Sequence, residues 1–287
     1  MSKSEIGSID REGFELRYVI DGVGEPALVI GSSLYYPKSF SQDLRQNLRM
    51  AFIDWRGFAE SGPAKYESEL TLDMFLDDID CIRKKIGFEK CIVIGHSAFG
   101  LLALEYAKKY KRNVSSVVMI GISPNLSSDM TKLAERNWQE SVWPERKKAL
   151  ENRIKQLPDE ELNKFPPPIR FVAWCFRRGP RTWYDYNFDS AFLWEGINPH
   201  MQMLDYLYGV ALRDLDITKN LENFDKPIFL ALGRFDYIIA PSSSWDSVRP
   251  NFKDLTIRIF ERSGHSPHYE ESKLFDQELL SWINQKS

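Results

Sequence analysis

The sequence predicts an α/β protein: a mostly parallel central sheet with helices on both faces, interrupted by an inserted helical cap. Three observations carry that prediction. Short all-apolar runs rich in β-branched residues, such as Ala27-Leu28-Val29-Ile30 and Cys91-Ile92-Val93-Ile94, suit strands buried on both faces. Amphipathic helical stretches separate these runs, and regular alternation of strand and helix builds a parallel sheet. The alternation lapses from Asn125 to Phe224 and resumes at Pro227-Ile228-Phe229-Leu230-Ala231-Leu232. The expected division is a core from residues 1–124 and 225–287 and a cap from 125–224.

Taken in order, Ile6 to Asp10 and Phe14 to Ile20 alternate as an opening hairpin, turned near Glu12-Gly13. Gly22-Val23-Gly24-Glu25-Pro26 breaks the chain before the strand at Ala27–Ile30. Phe40 to Leu48 reads as a helix and Met50 to Asp54 as the next strand, closed by a turn from Trp55 to Pro63. From Thr71 to Ile86, Leu72, Phe75, Leu76, Ile79, Ile82 and Ile86 form one apolar helical stripe, with Asp73, Asp77, Asp78 and Lys84 largely facing away. Gly87 stops that helix. The strand Cys91–Ile94 then runs through Gly95-His96-Ser97 into a helix marked by Leu101, Leu104 and Ala107, and Val114 to Ile120 is a further strand. Helix-like stretches in the cap cover Met130–Val142, Pro144–Gln156, Pro168–Arg177 and Pro199–Leu212. Residues 165–208 hold 12 aromatics in 44 positions, twice the 13% of the whole chain, so this half of the cap is expected to wall a pocket as well as pack on the core. Leu255–Phe260 and Leu274–Ile283 complete the core as strand and helix.

Composition excludes several classes. Over 287 residues, 43% apolar and 28% charged residues describe an ordinary globular chain. A net charge of −3 leaves no electrostatic footprint for nucleic acid. Lys108, Lys109, Lys111 and Arg112 cluster where a helix C-terminus is expected and complement its dipole. Cys81, Cys91 and Cys175 are odd in number and scattered, which fits a reducing cytoplasm and neither a disulfide framework nor a metal knuckle. The start Met1-Ser2-Lys3-Ser4-Glu5 has no apolar h-region, and no run approaches the length of a membrane span. Oligomeric state is not legible, since no heptads are evident.

The chemistry centres on Ser97, at the corner between a buried strand and a helix. Such a corner lifts the hydroxyl above the sheet and aims the first helical N–H groups at negative charge forming there. A hydroxyl that attacks a carbonyl needs a base, an acid to orient the base, and donors for the oxyanion. There are four histidines. His96 adjoins Ser97 and points to the opposite face, and His200 lies at a helix start in the cap. His265 follows the last strand on a loop able to reach the serine and is the expected base; His268 reads as its support or as plain surface. Asp236, directly after the strand ending at Gly233, is the expected acid, because catalysts gather beyond the carboxyl ends of parallel strands. The oxyanion donors are expected to be the N–H of Ala98 and one from the loop Gly31-Ser32-Ser33-Leu34-Tyr35, with Ser33 favoured. Tyr35 and Phe99 border that site.

With these residues in place, the sequence resembles the α/β-hydrolase superfamily, particularly its cap-bearing proline-iminopeptidase-like members, over about residues 6–124 and 225–284. Ser97, Asp236 and His265 stand in that fold's chain order. Asp54-Trp55-Arg56-Gly57-Phe58-Ala59-Glu60-Ser61 is similar to the family's D-x-R-G-x-G-x-S turn. Gly233-Arg234-Phe235-Asp236 and Ser263-Gly264-His265-Ser266-Pro267 look like its acid and histidine signatures. The chain departs from the family at three places: Gly31-Ser32-Ser33 replaces His-Gly-Gly, Ala59 replaces a glycine, and Phe99 replaces the glycine after the elbow. The resemblance implies a serine hydrolase without cofactor or metal, acting on a small ester, amide or short peptide. Trp194-Glu195-Gly196 is similar to the family's Trp-Glu motif, which implies Glu195, beside Trp194, as an anchor for a substrate amine. Two other readings remain on this fold: a lyase or carbon–carbon hydrolase using the same triad, and a ligand-binding receptor, motivated by the bulk of Phe99.

Overall fold

A computed structural model describes residues 4–63, 65–66, 68–140 and 143–286. Eight strands form one sheet: β1 (Glu5–Arg11), β2 (Phe14–Asp21), β3 (Glu25–Gly31), β4 (Leu48–Asp54), β5 (Cys91–His96), β6 (Val114–Ile120), β7 (Ile228–Gly233) and β8 (Leu255–Phe260). Their order is β1-β2-β4-β3-β5-β6-β7-β8. β2 pairs antiparallel with β1 and β4, and every pairing from β4 to β8 is parallel. The all-apolar runs occupy the middle, where Leu28, Val29, Ile94, Val118 and Leu230 lose all contact with solvent. Helices cover both faces of these strands, which is why the runs carry no polar alternation.

The expected helix over Phe40–Leu48 does not form. A short helix, Tyr36–Ser39, ends where Phe40 turns extended at φ −90° and ψ 145°. Ser41 Oγ then accepts from the N–H of Leu44 at 2.9 Å, and only the single turn Leu44–Gln46 follows. A serine hydroxyl bound to nearby backbone competes with helix hydrogen bonds. The next helix, Leu72–Lys85, starts on the side chain of Thr71, which accepts from Met74 N. Its stripe is as expected except that Asp78 faces inward. Asp78 is buried and pairs with Arg56 Nε at 2.6 Å and Arg11 Nε at 2.8 Å. Arg56 also reaches Glu12 at 2.8 Å, so the turn after β4 is tied to the first hairpin and to this helix by one fully buried guanidinium. A buried charge with this many partners is tolerated where a lone one is not.

Between β6 and β7 the described residues are helical or irregular, with helices Ser128–Gln139, Pro144–Gln156, Pro167–Arg177 and Met201–Tyr206. The first is shorter than the expected Met130–Val142, and Val142 lies outside the described residues. Arg146, wholly buried, holds this segment together by donating to the carbonyls of Pro180 (2.9 Å), Trp183 (2.5 Å) and Tyr184 (2.5 Å).

Backbone approaches backbone tightly at the end of β5. A Cβ on Gly95 would lie 2.0 Å from the carbonyl oxygen of Phe99. Since backbone blocks that position and cannot swing aside, Gly95→Ala is expected to destabilise the protein by about 3 kcal/mol. Urea unfolding reads this directly, and a midpoint equal to that of the wild type would contradict it.

Candidate active site

Ser97 sits between β5 and the helix Ala98–Lys109 with φ 59° and ψ −138°. A residue bearing a Cβ in this region is strained by about 1–3 kcal/mol and persists only where its surroundings hold it. Here its N–H donates to Ile120 O on β6 at 2.8 Å, and Gly95 lets strand and helix close beneath it. Ser97 opens onto a cavity of about 780 Å³ at the carboxyl ends of the parallel strands. Ala98 is the first residue of the helix, so its N–H has no intrahelical carbonyl to bind.

The loop after β3 is arranged differently from expectation. The Ser33 N–H donates to Asp54 Oδ1 at 2.6 Å, and it is Ser32 that lies on the cavity wall. Asp54 is placed for this because β3 and β4 pair Gly31 with Asp54. Burial pushes the Asp54 carboxyl up to about 7, and the Ser33 N–H pulls back against that rise. Ser33 is therefore engaged inside the fold.

Asp236 and His265 meet across the ends of β7 and β8. Both are buried, and His265 Nδ1 lies 2.7 Å from Asp236 Oδ2, leaving Nε2 as the ring nitrogen turned from the acid. The other carboxylate oxygen accepts from Ile238 N at 3.1 Å. His265 shares the cavity with Ser97, and no hydrogen bond joins the two among the described residues. The histidine loop is fixed from two sides. Its N–H donates to Thr182 O at 2.6 Å, and Glu270 accepts from Gly264 N (2.9 Å), Ser266 N (3.1 Å) and Tyr184 N (2.6 Å). Burial raises the Glu270 carboxyl to about 7, against those three donors. Glu270 was invisible in the sequence, where it is one of two adjacent glutamates at a helix end.

His96 is buried beside this pair and, against the expectation that it points away, lines the same cavity. Its Nε2 lies 3.0 Å from His265 O, so that nitrogen carries the proton, and its ring packs against His265 and His268 at 4.7 and 4.9 Å. His268 is wholly buried, stacked 4.5 Å from Phe40, and not on the surface. Burial, with His265 beside it, lowers the His268 pKa to about 3. Between pH 6.5 and about 3 the unfolded chain therefore binds more protons at this residue than the folded chain does. The stability it confers is complete above 6.5 and is lost as pH falls. His268→Phe is expected to flatten the decline of unfolding free energy between pH 6 and 4 by up to one proton, read from urea midpoints along the series. An unchanged slope would refute the buried neutral imidazole.

Phe99 does not crowd the elbow. Its backbone makes the close approach to Gly95, while its ring lies 5.5 Å from Trp55, 6.1 Å from Phe58 and 6.5 Å from Tyr36. A Cβ on Gly31 would sit 2.8 Å from the Phe99 ring. Tyr36 blocks the same position at 2.6 Å and the backbone there has φ +136°, so glycine at 31 accommodates both rings, that of Phe99 included. Tyr35 and Trp194 both line the cavity and stack edge to face at 5.3 Å, joining the β3 loop to the inserted segment. Glu195 does not reach the cavity. Its side chain is 75% exposed and lies 3.8 Å from Lys38 Nζ. Among the described residues no group of histidine, cysteine or acidic side chains is arranged to hold a metal ion, and no helix is long and apolar enough to cross a membrane. Cys81, Cys91 and Cys175 are free thiols.

The sequence model of the alpha/beta hydrolase fold family matches residues 24–272. The AB hydrolase superfamily protein YclE of Bacillus subtilis is 36% identical, over 97% of this chain and 99% of that protein. Proline iminopeptidase PfmaB of Pestalotiopsis fici is 26% identical, over 96% of this chain and 98% of that protein. Among solved structures, an esterase from Exiguobacterium antarcticum superposes with a TM-score of 0.66 at 19% identity, covering 95% of this chain and 96% of that one.

Proposed function

We propose that this chain, which belongs to the alpha/beta hydrolase fold family, is a serine hydrolase that cleaves a small ester through an acyl-enzyme on Ser97. The observation that carries the reading is the strained serine opening onto the same cavity as a histidine held at 2.7 Å by a buried aspartate. In this reading His265 Nε2 takes the proton of Ser97 Oγ as the oxygen attacks the carbonyl, and Asp236 holds the ring and stabilises the imidazolium. Hydrogen bonds of this kind tighten when substrate binds. The oxyanion is met by the N–H of Ala98 and, since Ser33 is committed to Asp54, by that of Ser32. His265 then returns the proton to the leaving alkoxide. Water, deprotonated by the same ring, opens the acyl-enzyme and frees the acid. No cofactor enters these steps.

Residues 125–224 act in this reading as a cap: Trp174, Trp183 and Trp194 come from it and line the cavity onto which Ser97 opens. Their apolar faces suit a small or medium apolar acyl group. Three free cysteines are in keeping with a reducing, cytoplasmic setting. A second reading, an aminopeptidase, is favoured by the relative named proline iminopeptidase and opposed by the exposed position of Glu195. Initial rates on p-nitrophenyl butyrate and on prolyl-β-naphthylamide decide between them. The ester is expected to turn over and the amide to be spared. Faster cleavage of the amide would install the peptidase, and a folded protein inert to the amide and to neutral and anionic esters alike would remove the hydrolase reading in favour of ligand capture.

A further inference from the structure

Within the largely apolar cavity wall one cation stands out. Arg178, at the end of the helix Pro167–Arg177, lines the cavity and is half-buried there. Its guanidinium lies 4.2 Å over the ring of Trp174, which holds the plane of the fork. Among the described residues no carboxylate or carbonyl accepts a hydrogen bond from that guanidinium. The acids whose charge reaches it are already engaged. Glu135 takes Arg181 Nη1 at 2.8 Å and Gln139 Nε2 at 2.6 Å, and Asp236 takes His265. Arg181, close by, adds like charge. Burial and that second arginine lower the Arg178 pKa to about 10, which still leaves it cationic at neutral pH. Asp205, the acidic residue on the wall among the described residues, is exposed.

A partly desolvated guanidinium without a counter-ion is unusual in a folded chain, because burial of charge is tolerated when it is paired. Two other half-buried arginines of this segment have partners: Arg181 has Glu135, and Arg153 donates to Phe176 O at 2.6 Å. The geometry points to a substrate that brings the missing anion: we propose that Arg178 binds a carboxylate at one end of the ester, whose apolar body lies along Trp174 and whose carbonyl reaches Ser97. This deepens the serine-hydrolase reading and rests on it. The forked donor set matches a planar carboxylate by two parallel hydrogen bonds, which a neutral ester end would leave unmade.

The test compares esters that carry a carboxylate with neutral counterparts of the same ester linkage. p-Nitrophenyl hemiglutarate carries the carboxylate on the acyl side, 4-(butyryloxy)benzoate carries it on the leaving group, and p-nitrophenyl butyrate with ethyl 4-(butyryloxy)benzoate are the neutral references. In the wild type one of the anionic esters is expected to exceed its reference in kcat/KM. That ratio is expected to fall about 10- to 100-fold in Arg178→Gln and to keep an intermediate value in Arg178→Lys, the range charge-assisted hydrogen bonds support. Anionic-to-neutral ratios at or below one for both pairs, or ratios that Arg178→Gln leaves in place, overturn the assignment. Binding gives a readout independent of turnover: by calorimetry on the wild type, glutarate is expected to bind at least tenfold more tightly than glutaramide, an advantage lost in Arg178→Gln. Equal binding of the two overturns the carboxylate site even if esters are hydrolysed. Preferential binding of glutarate without hydrolysis of any ester keeps the site and removes the serine-hydrolase reading instead.

Discussion

Ser97→Ala is expected to remove ester turnover, lowering kcat by about 10⁴- to 10⁶-fold, because losing the nucleophile of a triad leaves only what binding and the oxyanion donors supply. The strand and helix that meet at position 97 are held by the Ser97 N–H to Ile120 O and by the contact at Gly95, neither of which uses the hydroxyl. The variant should therefore keep the wild-type melting temperature. That pairing of results separates chemistry from folding. A Ser97→Ala protein that hydrolyses p-nitrophenyl butyrate at more than about one-tenth of the wild-type rate would mean that another group attacks the carbonyl.

Asp236→Asn is expected to have the next largest effect, a drop in kcat of about 10³- to 10⁴-fold with little change in KM. The amide keeps the volume, yet its NH₂ or its neutral carbonyl now faces His265 Nδ1 in place of the carboxylate oxygen at 2.7 Å. The ring can then hold its proton on Nε2, where it blocks acceptance of the serine proton, and the imidazolium loses its counter-charge in a buried setting. Raising the pH should restore part of the lost rate, since hydroxide substitutes for the missing base. Stopped-flow kcat across pH 6–10 measures both effects. A loss below tenfold with an unchanged pH profile would assign Asp236 a role in packing alone.

Much of this arrangement is legible in the chain because strand and helix periods are properties of neighbouring residues. β3, β5, β6 and β7 are built around short apolar runs, interrupted in β6 by Ser115 and Ser116, and each forms near its expected place. Ser97, Asp236 and His265 are legible as candidates because each lies within five residues of a strand end, a local signal. What local patterns miss is competition across space. Phe40–Leu48 has helical spacing, but the hydroxyl of Ser41 takes the N–H of Leu44. Asp78 looks like one more solvated acid on a helix until Arg56 and Arg11 arrive from other elements. Ser33 against Ser32 turns on where Asp54 places its carboxylate, 21 residues away. Phe99 reads as an obstruction in the sequence, and its relief lies in the absent side chain of Gly31. Arg178 and Glu270 carry no sequence signal at all, since each is defined by what surrounds it: one lacks a partner, the other collects three N–H groups.

The central claim, that an activated oxygen at position 97 opens onto the cavity, is tested most directly by a fluorophosphonate probe followed by peptide mass spectrometry. The account predicts one adduct per chain on Ser97, absent from Ser97→Ala and formed far more slowly in Asp236→Asn. A folded wild-type protein that takes up no probe, or an adduct on any other residue, would contradict it.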